Sequence, residues 1–327
     1  MIPLIKGKKV LFITTKNIDY IRNTQEIKII RDNACSIELV HSKKKQYLFR
    51  ILSILIQIYK KDIDKYDLIF IGFAPQLVLP FIEKKIKGKD VIIDFFVSLY
   101  DTLICDRQLF RKKGMVARIS HLLDQYTLKK AVYVVTDTKS HSEFFVSEFG
   151  VEREKIVTLY LEADQTIYYP RKQNREDELK DKYIVLYFGT VLPLQGVEVI
   201  LETIKGLKDN QNIFFDIIGP ISSKYKKPNQ NNVRYTDWLR QEELADRIAN
   251  ADLCLAGHFN DQIDKAKRTI PGKTYIYQSM GKRMILGDNK ANRELFSDSY
   301  NTIFVKMGSA VELERVILEA YQKDREM

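Results

Sequence analysis

The stretch DKAKRTIPGKTYIYQSMGKRMILGDNKANREL, Asp264–Leu295, decides how the rest of the chain is read. It opens on cations: Lys265, Lys267, Arg268 and Lys273 fall within nine residues. Pro271-Gly272 interrupts that run, and a short helical segment then stops at Gly281. Met284-Ile285-Leu286 follows as an apolar run, and Gly287-Asp288-Asn289 as a polar turn. The predicted order is basic loop, helix start, helix, glycine stop, short strand, loop. A helix whose first turn carries Lys273, entered from a basic loop, suits an anion, because its unpaired N–H groups and positive dipole end face the ligand with the cations. A diphosphate is the obvious candidate. A solvated basic loop fits the same spacing, which by itself leaves both readings open.

Strands and helices alternate on either side of this stretch. In the second half, a strand at Tyr183–Phe188 enters the tight loop Gly189–Gly196 and a helix at Val197–Leu207. A strand at Phe214–Gly219, a polar loop at Pro220–Asn231 and the segments around Trp238 and Leu244–Ile248 lead to a strand at Leu253–Gly257. In the first half, strands are expected at Lys9–Thr15, Ser36–Val40, Leu68–Gly72, Val91–Phe96 and Val132–Thr136. Helices are expected at about Tyr20–Arg31, at Leu48–Lys61, from Pro75, at Arg111–Lys130 and at Thr138–Phe149. Runs without polar alternation, such as Leu11-Phe12-Ile13, suit a parallel sheet covered on both faces. The fold class expected is α/β, with two Rossmann-like, doubly wound domains facing one another across a cleft. The 327 residues suit two domains, expected at 1–170 and 183–327 with the charged run 171–182 as linker.

In open parallel sheets the loops after the strands form the ligand crevice. Asp94, Ser98, Asp101, Asp106 and Arg107, in DFFVSLYDTLICDRQ (Asp94–Gln108), are therefore expected to cluster there. Capping and ion pairing would explain the same residues. His258, in AGHFND after the strand Leu253–Gly257, is expected to face the crevice of the second domain, as a ligand contact or as a capped loop histidine.

The formal net charge is +10, and residues 1–170 hold 28 Lys and Arg against 20 Asp and Glu. A basic half suits an anionic ligand or anionic lipid; without an RNA- or DNA-binding signature, nucleic acid is not expected as a partner. The helix Leu48–Lys61 is so widely apolar that it reads either as buried against the sheet or as an interfacial helix on lipid. The strongly basic helix Arg111–Lys130 could rest on phosphate headgroups. Cys35 and Cys254 sit in apolar runs and read as core thiols of a reducing compartment. With no signal-peptide pattern and no apolar run of roughly 18 residues, a cytoplasmic protein is expected, peripheral to the inner face of the plasma membrane at most. Neither the four histidines nor Asp62-Ile63-Asp64 have metal-ligand spacing, so no metal site and no cofactor are expected.

Cys254-Leu255, Lys265-Ala266, Arg268, Ile270-Pro271, Lys273, Tyr275, Met280-Gly281-Lys282, Asp288 and Glu294 match, in order, the donor segment of family 4 glycosyltransferases. The chain resembles their bacterial surface-polysaccharide branch, which has the GT-B fold. The first half resembles the same branch in Asp94-x-x-x-Ser98-x-Tyr100-Asp101-Thr102 and Asp106-Arg107, and the Gly189 loop does so in Leu192-Pro193-Leu194-x-Gly196-Val197. Three departures stand out: Ile276 replaces the second acid of the paired-glutamate motif, and Thr190 and Gln195 stand where Arg and Lys are common. The chain also ends soon after Val311–Gln322, where family members usually continue into a crossing helix.

The resemblance implies a retaining, metal-independent transferase that moves a sugar from a nucleotide sugar to a sugar acceptor, carried on polyprenyl diphosphate, in capsule, O-antigen or exopolysaccharide synthesis. Arg268 and Lys273 would stabilise the leaving diphosphate, with Asp101 as a further catalytic residue. Gly189, Thr190, Gln195, Gly196, His258, Lys265, Asp288 and Glu294 would bind the donor. Asp94, Ser98, Tyr100, Asp106 and Arg107 would line the acceptor side. The alternatives are a non-catalytic GT-B partner subunit and a GT-B sugar-nucleotide epimerase.

Overall fold

The computed structural model describes residues 2–107, 109–190 and 192–326. Gln108, at the end of the acidic stretch, and Val191, in the tight loop, lie outside the described residues. The chain divides into two compact units, Met1–Leu161 and Glu162–Met327.

The first unit is a six-stranded sheet of β1 (Lys9–Ile13), β2 (Ser36–Val40), β3 (Leu68–Ile71), β4 (Asp90–Asp94), β5 (Tyr133–Thr136) and β6 (Ile156–Thr158). Its order is β2-β1-β3-β4-β5-β6, and every pair is parallel. The chain thus winds one way from β1 to β2 and the other way from β3 onwards, which covers both faces. Helix α1 (Ile21–Asn33) buries Ile27 and Ile30 against Val10, Phe12, Leu68 and Phe70. The opposite face, with Leu11, Ile13, Ile69 and Ile71, is covered by α2 (Tyr47–Lys60), α3 (Leu79–Ile82), α4 (Met115–Lys130) and α5 (Lys139–Phe149). The helix expected from Pro75 is a 3-10 turn, Pro75–Leu77, followed by the single turn of α3. Pro80, early in α3, has no N–H to extend a longer helix through this point.

The second unit has β7 (Tyr183–Phe188), β8 (Ile213–Ile218), β9 (Val233–Thr236), β10 (Leu253–Gly257), β11 (Met284–Gly287) and β12 (Thr302–Val305). Their order is β12-β11-β10-β7-β8-β9, again parallel throughout. The winding reverses between β7 and β10, the place where an open α/β sheet leaves a crevice at its carboxyl edge. Its helices are α6 (Val197–Gly206), α7 (Gln241–Asn250), α8 (Asp264–Arg268), α9 (Gly272–Ser279) and α10 (Ala310–Arg325). Residues 171–182, expected as a linker, group with this unit: Arg171 pairs with Asp246 at 2.6 Å and Arg175 with Asp252 at 2.5 Å.

Two expectations need correction. Cys35 is exposed, because it precedes β2, the edge strand of its sheet; Cys254 is buried, and desolvation pushes its thiol up to about 12. Lys265, Lys267 and Arg268 lie on the helix α8 rather than on an irregular loop. The strands β9 and β12 were not anticipated. They are the two edges of their sheet and are only partly buried, so VRYT and TIFV lack the long apolar run of a central strand.

Candidate functional site

Four loops of the second unit leave the carboxyl ends of β7, β8, β10 and β11 on the same edge of the sheet. Gly189 follows β7 with φ 144° and Gly219 follows β8 with φ 134°. A Cβ on Gly219 would lie 2.1 Å from the Gly189 carbonyl oxygen, so the two loops pass at backbone contact. Gly196, at φ 66°, closes the β7 loop against Phe259 and Asn260, which follow β10. Asn260 Nδ2 donates to the Pro193 carbonyl at 3.0 Å, and the Phe259 N–H to the Gln195 carbonyl at 3.2 Å.

Lys273 enters this edge from the first turn of α9. Its ammonium donates to Gln195 Oε1 at 2.6 Å and stands 4.1 Å from the centre of the Tyr187 ring. A Cβ on Gly189 would come within 3.2 Å of its Nζ, so glycine leaves room for the cation. The side chain is buried and, among the described residues, forms no ion pair with a carboxylate. Desolvation therefore drives its pKa well below the ordinary lysine value. The Tyr187 hydroxyl beneath it is buried without a hydrogen-bond partner among the described residues. A buried ammonium on a polar amide, an aromatic face and a glycine loop is an anion site in the making.

His258 is buried beside it. Its Nδ1 donates to the Thr269 carbonyl at 3.2 Å, which assigns the proton to that nitrogen. Burial, helped by the Lys273 charge, lowers its pKa to about 3, so the ring is neutral in ordinary buffers. Arg268 ends α8 and is half-buried, as is Lys265 one turn earlier. Thr190 is exposed. Asp288 follows β11 and is held by Arg293 at 2.8 and 3.0 Å, which lowers its pKa. Glu294 is half-buried in the 3-10 turn Asn292–Glu294. Sequence reasoning missed the two asparagines that build this loop. Asn289 donates to the Ala266 carbonyl at 3.1 Å, and Asn292 to that of Gly287 at 2.8 Å, tying the β11 loop to α8.

In the first unit the expected residues divide into two buried groups. Asp94 accepts from Arg22 Nη2 at 3.2 Å and Nε at 3.3 Å, and Arg22 also meets Glu26 at 3.3 Å. All three are fully buried; desolvation next to Asp94 raises Glu26 well above the usual carboxylate range. Ser98 donates to Asp124 Oδ2 at 2.7 Å and accepts from the Asp101 N–H at 2.9 Å. Asp124 also accepts from Gln76 and from the N–H groups of Leu99 and Tyr100, so it caps the π-helix Asp101–Asp106. Burial outweighs those four hydrogen bonds and raises Asp124 to about 6. It is the one carboxylate of α4, a signal the sequence offered. Asp101, fully buried, lies 3.8 Å from His141 Nε2, whose Nδ1 meets Asp137 Oδ1 at 2.6 Å. Tyr100 is half-buried edge-on to His121, Asp106 is buried and Arg107 is exposed.

Residues 182–323 match the family model "Glycosyl transferases group 1". The chain is 26% identical over 215 residues to chitobiosyldiphosphodolichol beta-mannosyltransferase of Candida albicans, across 58% of this chain and 46% of that protein. It is 22% identical to an uncharacterised 41.2 kDa protein in the cps region of Klebsiella pneumoniae, across 68% of this chain and 62% of that one. The chain thus spans less than two thirds of the length of both curated relatives. Among solved structures, HepE of Anabaena in complex with UDP and glucose superposes with a TM-score of 0.67 at 14% identity, covering 98% of this chain and 91% of that one. Sucrose-phosphate synthase of Thermosynechococcus elongatus gives 0.69 at 10% identity, over 96% and 90%. The chain has the GT-B fold, and residues 182–323 of its second unit match the group 1 glycosyl transferases.

Proposed function

We propose that the chain transfers a sugar from a nucleotide-sugar donor to a hydroxyl of a sugar acceptor, without a metal ion and with retention at the anomeric carbon. The observation that carries the reading is Lys273, an ammonium buried at the β7–β10 switch point that forms no ion pair with a carboxylate among the described residues. A diphosphate at this edge would restore the electrostatic partner that burial removed. Lys273 and Arg268 would neutralise the charge that grows on the β-phosphate as the sugar–oxygen bond breaks. That phosphate oxygen takes the proton of the acceptor hydroxyl, and the new glycosidic bond forms on the face the leaving group vacates. Gly189, Thr190, Gln195 and Gly196 run along the diphosphate, with Lys265 and His258 beside it. Asp288 and Glu294 take the donor hydroxyls. Retention rests on the family resemblance alone.

The acceptor assigned is a sugar on a lipid diphosphate at the cytoplasmic surface of the membrane, for polysaccharide assembly. The name of the Candida relative contains such a lipid diphosphate, and the Klebsiella relative lies in a cps region, which supports this choice. Ser98, Tyr100, Asp106 and Arg107 serve the acceptor. The burial of Asp94 and Asp101 supports positioning roles, in which they hold the loop after β4 through Arg22 and His141.

Isothermal titration with UDP, GDP and their sugars tests the donor site. Micromolar to sub-millimolar binding of one nucleotide is expected, lost in Lys273→Ala. An absence of binding at millimolar ligand would overturn the transferase reading in favour of a non-catalytic subunit.

A further inference from the structure

Helices α2 and α4 are amphipathic in the wrong sense for a water-facing surface. On α2 the sheet takes Ile54 and Ile58, yet the outward stripe is also apolar: Leu48, Phe49, Leu52, Ile56 and Tyr59 are 46–68% exposed. On α4 the sheet takes Ala117, Ser120, Asp124, Thr127 and Leu128, while Met115, Ile119 and Leu122 stand 57–77% exposed one helical turn apart. The short segment between them joins the two stripes. Tyr59 donates to the carbonyl of Phe81, itself exposed, and Tyr126 and Lys130 of α4 meet Glu83 two residues on. All three elements cover one face of the first sheet, so their outer surfaces form one apolar field.

Cations border that field. Lys43, Lys44 and Lys45 precede α2 and Lys60 ends it; Arg111, Lys112 and Lys113 precede α4, and Lys129 and Lys130 end it. No Asp or Glu occurs anywhere from 41 to 61 or from 109 to 123. Among the described residues no helix is long and apolar enough to cross a membrane.

We propose that the outer face of α2, Phe81 and α4 is a membrane-docking surface, whose apolar stripes enter the acyl boundary of an anionic bilayer while the lysine and arginine clusters sit among the headgroup phosphates. Apolar area and basic flanks together give reversible interfacial binding, each compensating for what the other lacks. The carboxylate on this surface, Glu83, is already paired with Lys130, so the field offered to a partner is apolar and cationic, the chemistry of an anionic bilayer rather than of a mixed protein surface. The inference deepens the peripheral attachment in the function proposed above, and it names the contact side chains.

The test is flotation of the full chain with vesicles of phosphatidylglycerol and phosphatidylcholine, without nucleotide or acceptor. Binding to anionic vesicles is expected, falling roughly tenfold between 0.05 and 0.5 M salt but leaving a remainder owed to the apolar stripes. The uncharged pairs Leu52→Gln with Ile56→Gln, and Ile119→Gln with Leu122→Gln, should each weaken binding about tenfold or more at unchanged net charge. Both pairs are solvent-facing, so circular dichroism should be unchanged. Wild-type protein left unbound by anionic vesicles at low salt, or binding indifferent to both pairs, would overturn the proposal. So would a wild-type dimer that the same pairs dissociate without changing flotation, which would assign the face to a second copy. None of these outcomes touches the donor site.

Discussion

In its proposed role, Lys273 couples function to stability through one proton. Its pKa in the folded chain lies well below the ordinary 10.5, so between those two values the unfolded chain holds more protons and stability rises with pH. Below the lowered value the fold carries the full cost of the buried charge. Lys273→Met should therefore raise the stability of the second unit by about 1–2 kcal/mol at pH 7 in thermal denaturation, despite the lost hydrogen bond to Gln195. The same substitution should cut turnover at saturating donor about 100-fold, the loss expected for one transition-state contact of about 3 kcal/mol. A variant that is less stable, or as active as wild type, would refute the assignment. His258 has the opposite chemistry, since it is buried neutral. With a folded pKa of about 3 against an ordinary 6.5, its contribution is complete above pH 6.5 and is lost as pH falls towards 3. Urea titrations from pH 7 to pH 4 should show a slope up to about 1.4 kcal/mol per pH unit steeper than in His258→Gln.

At the scale of elements, the proposed donor site is a set of loop ends rather than a helix or a strand. Gly219 illustrates what the loops demand of each other. A methyl group there meets the Gly189 carbonyl at 2.1 Å, and the φ of 134° is itself costly for any side chain. Gly219→Ala should cost about 3 kcal/mol in denaturant unfolding and shift the β7 loop against Lys273, weakening nucleotide binding measured by titration. In the first unit the equivalent work is done by Asp124. It binds the backbone after β4 from a helix lying some 24–26 residues further along the chain. Local pattern made α4 visible as a basic amphipathic helix, but not that its lone acid turns inward.

The whole molecule is two separately cored units, each with a parallel sheet packed on both faces. Calorimetry should resolve two transitions, and whichever nucleotide binds in the titration, at 100 times its Kd, should raise the stability of the one belonging to the second unit by about 2.7 kcal/mol. Transfer activity should persist in excess EDTA, because the charge on the diphosphate is assigned to Lys273 and Arg268. Loss on chelation with recovery on magnesium would refute that assignment.

Local sequence was enough for the alternation of strand and helix and the parallel character of both sheets, and it singled out the segment proposed to bind the donor. Those properties are local: apolar runs without polar alternation mark central strands, and glycine, proline and charge mark the turns. It also placed Lys273 in the first turn of a helix, as α9 has it. Tertiary structure decided the rest. Only packing could bury Lys273 against Tyr187 and Gln195, which lie 86 and 78 residues away along the chain. Only packing could enclose Asp94 with Arg22, cap the π-helix with Asp124 and add the edge strands β9 and β12. The sequence left α2 open between core and interface, because an apolar face this wide suits either a sheet or a lipid surface. The sheet decides it by occupying Ile54 and Ile58 and leaving Leu48, Leu52 and Ile56 facing outward.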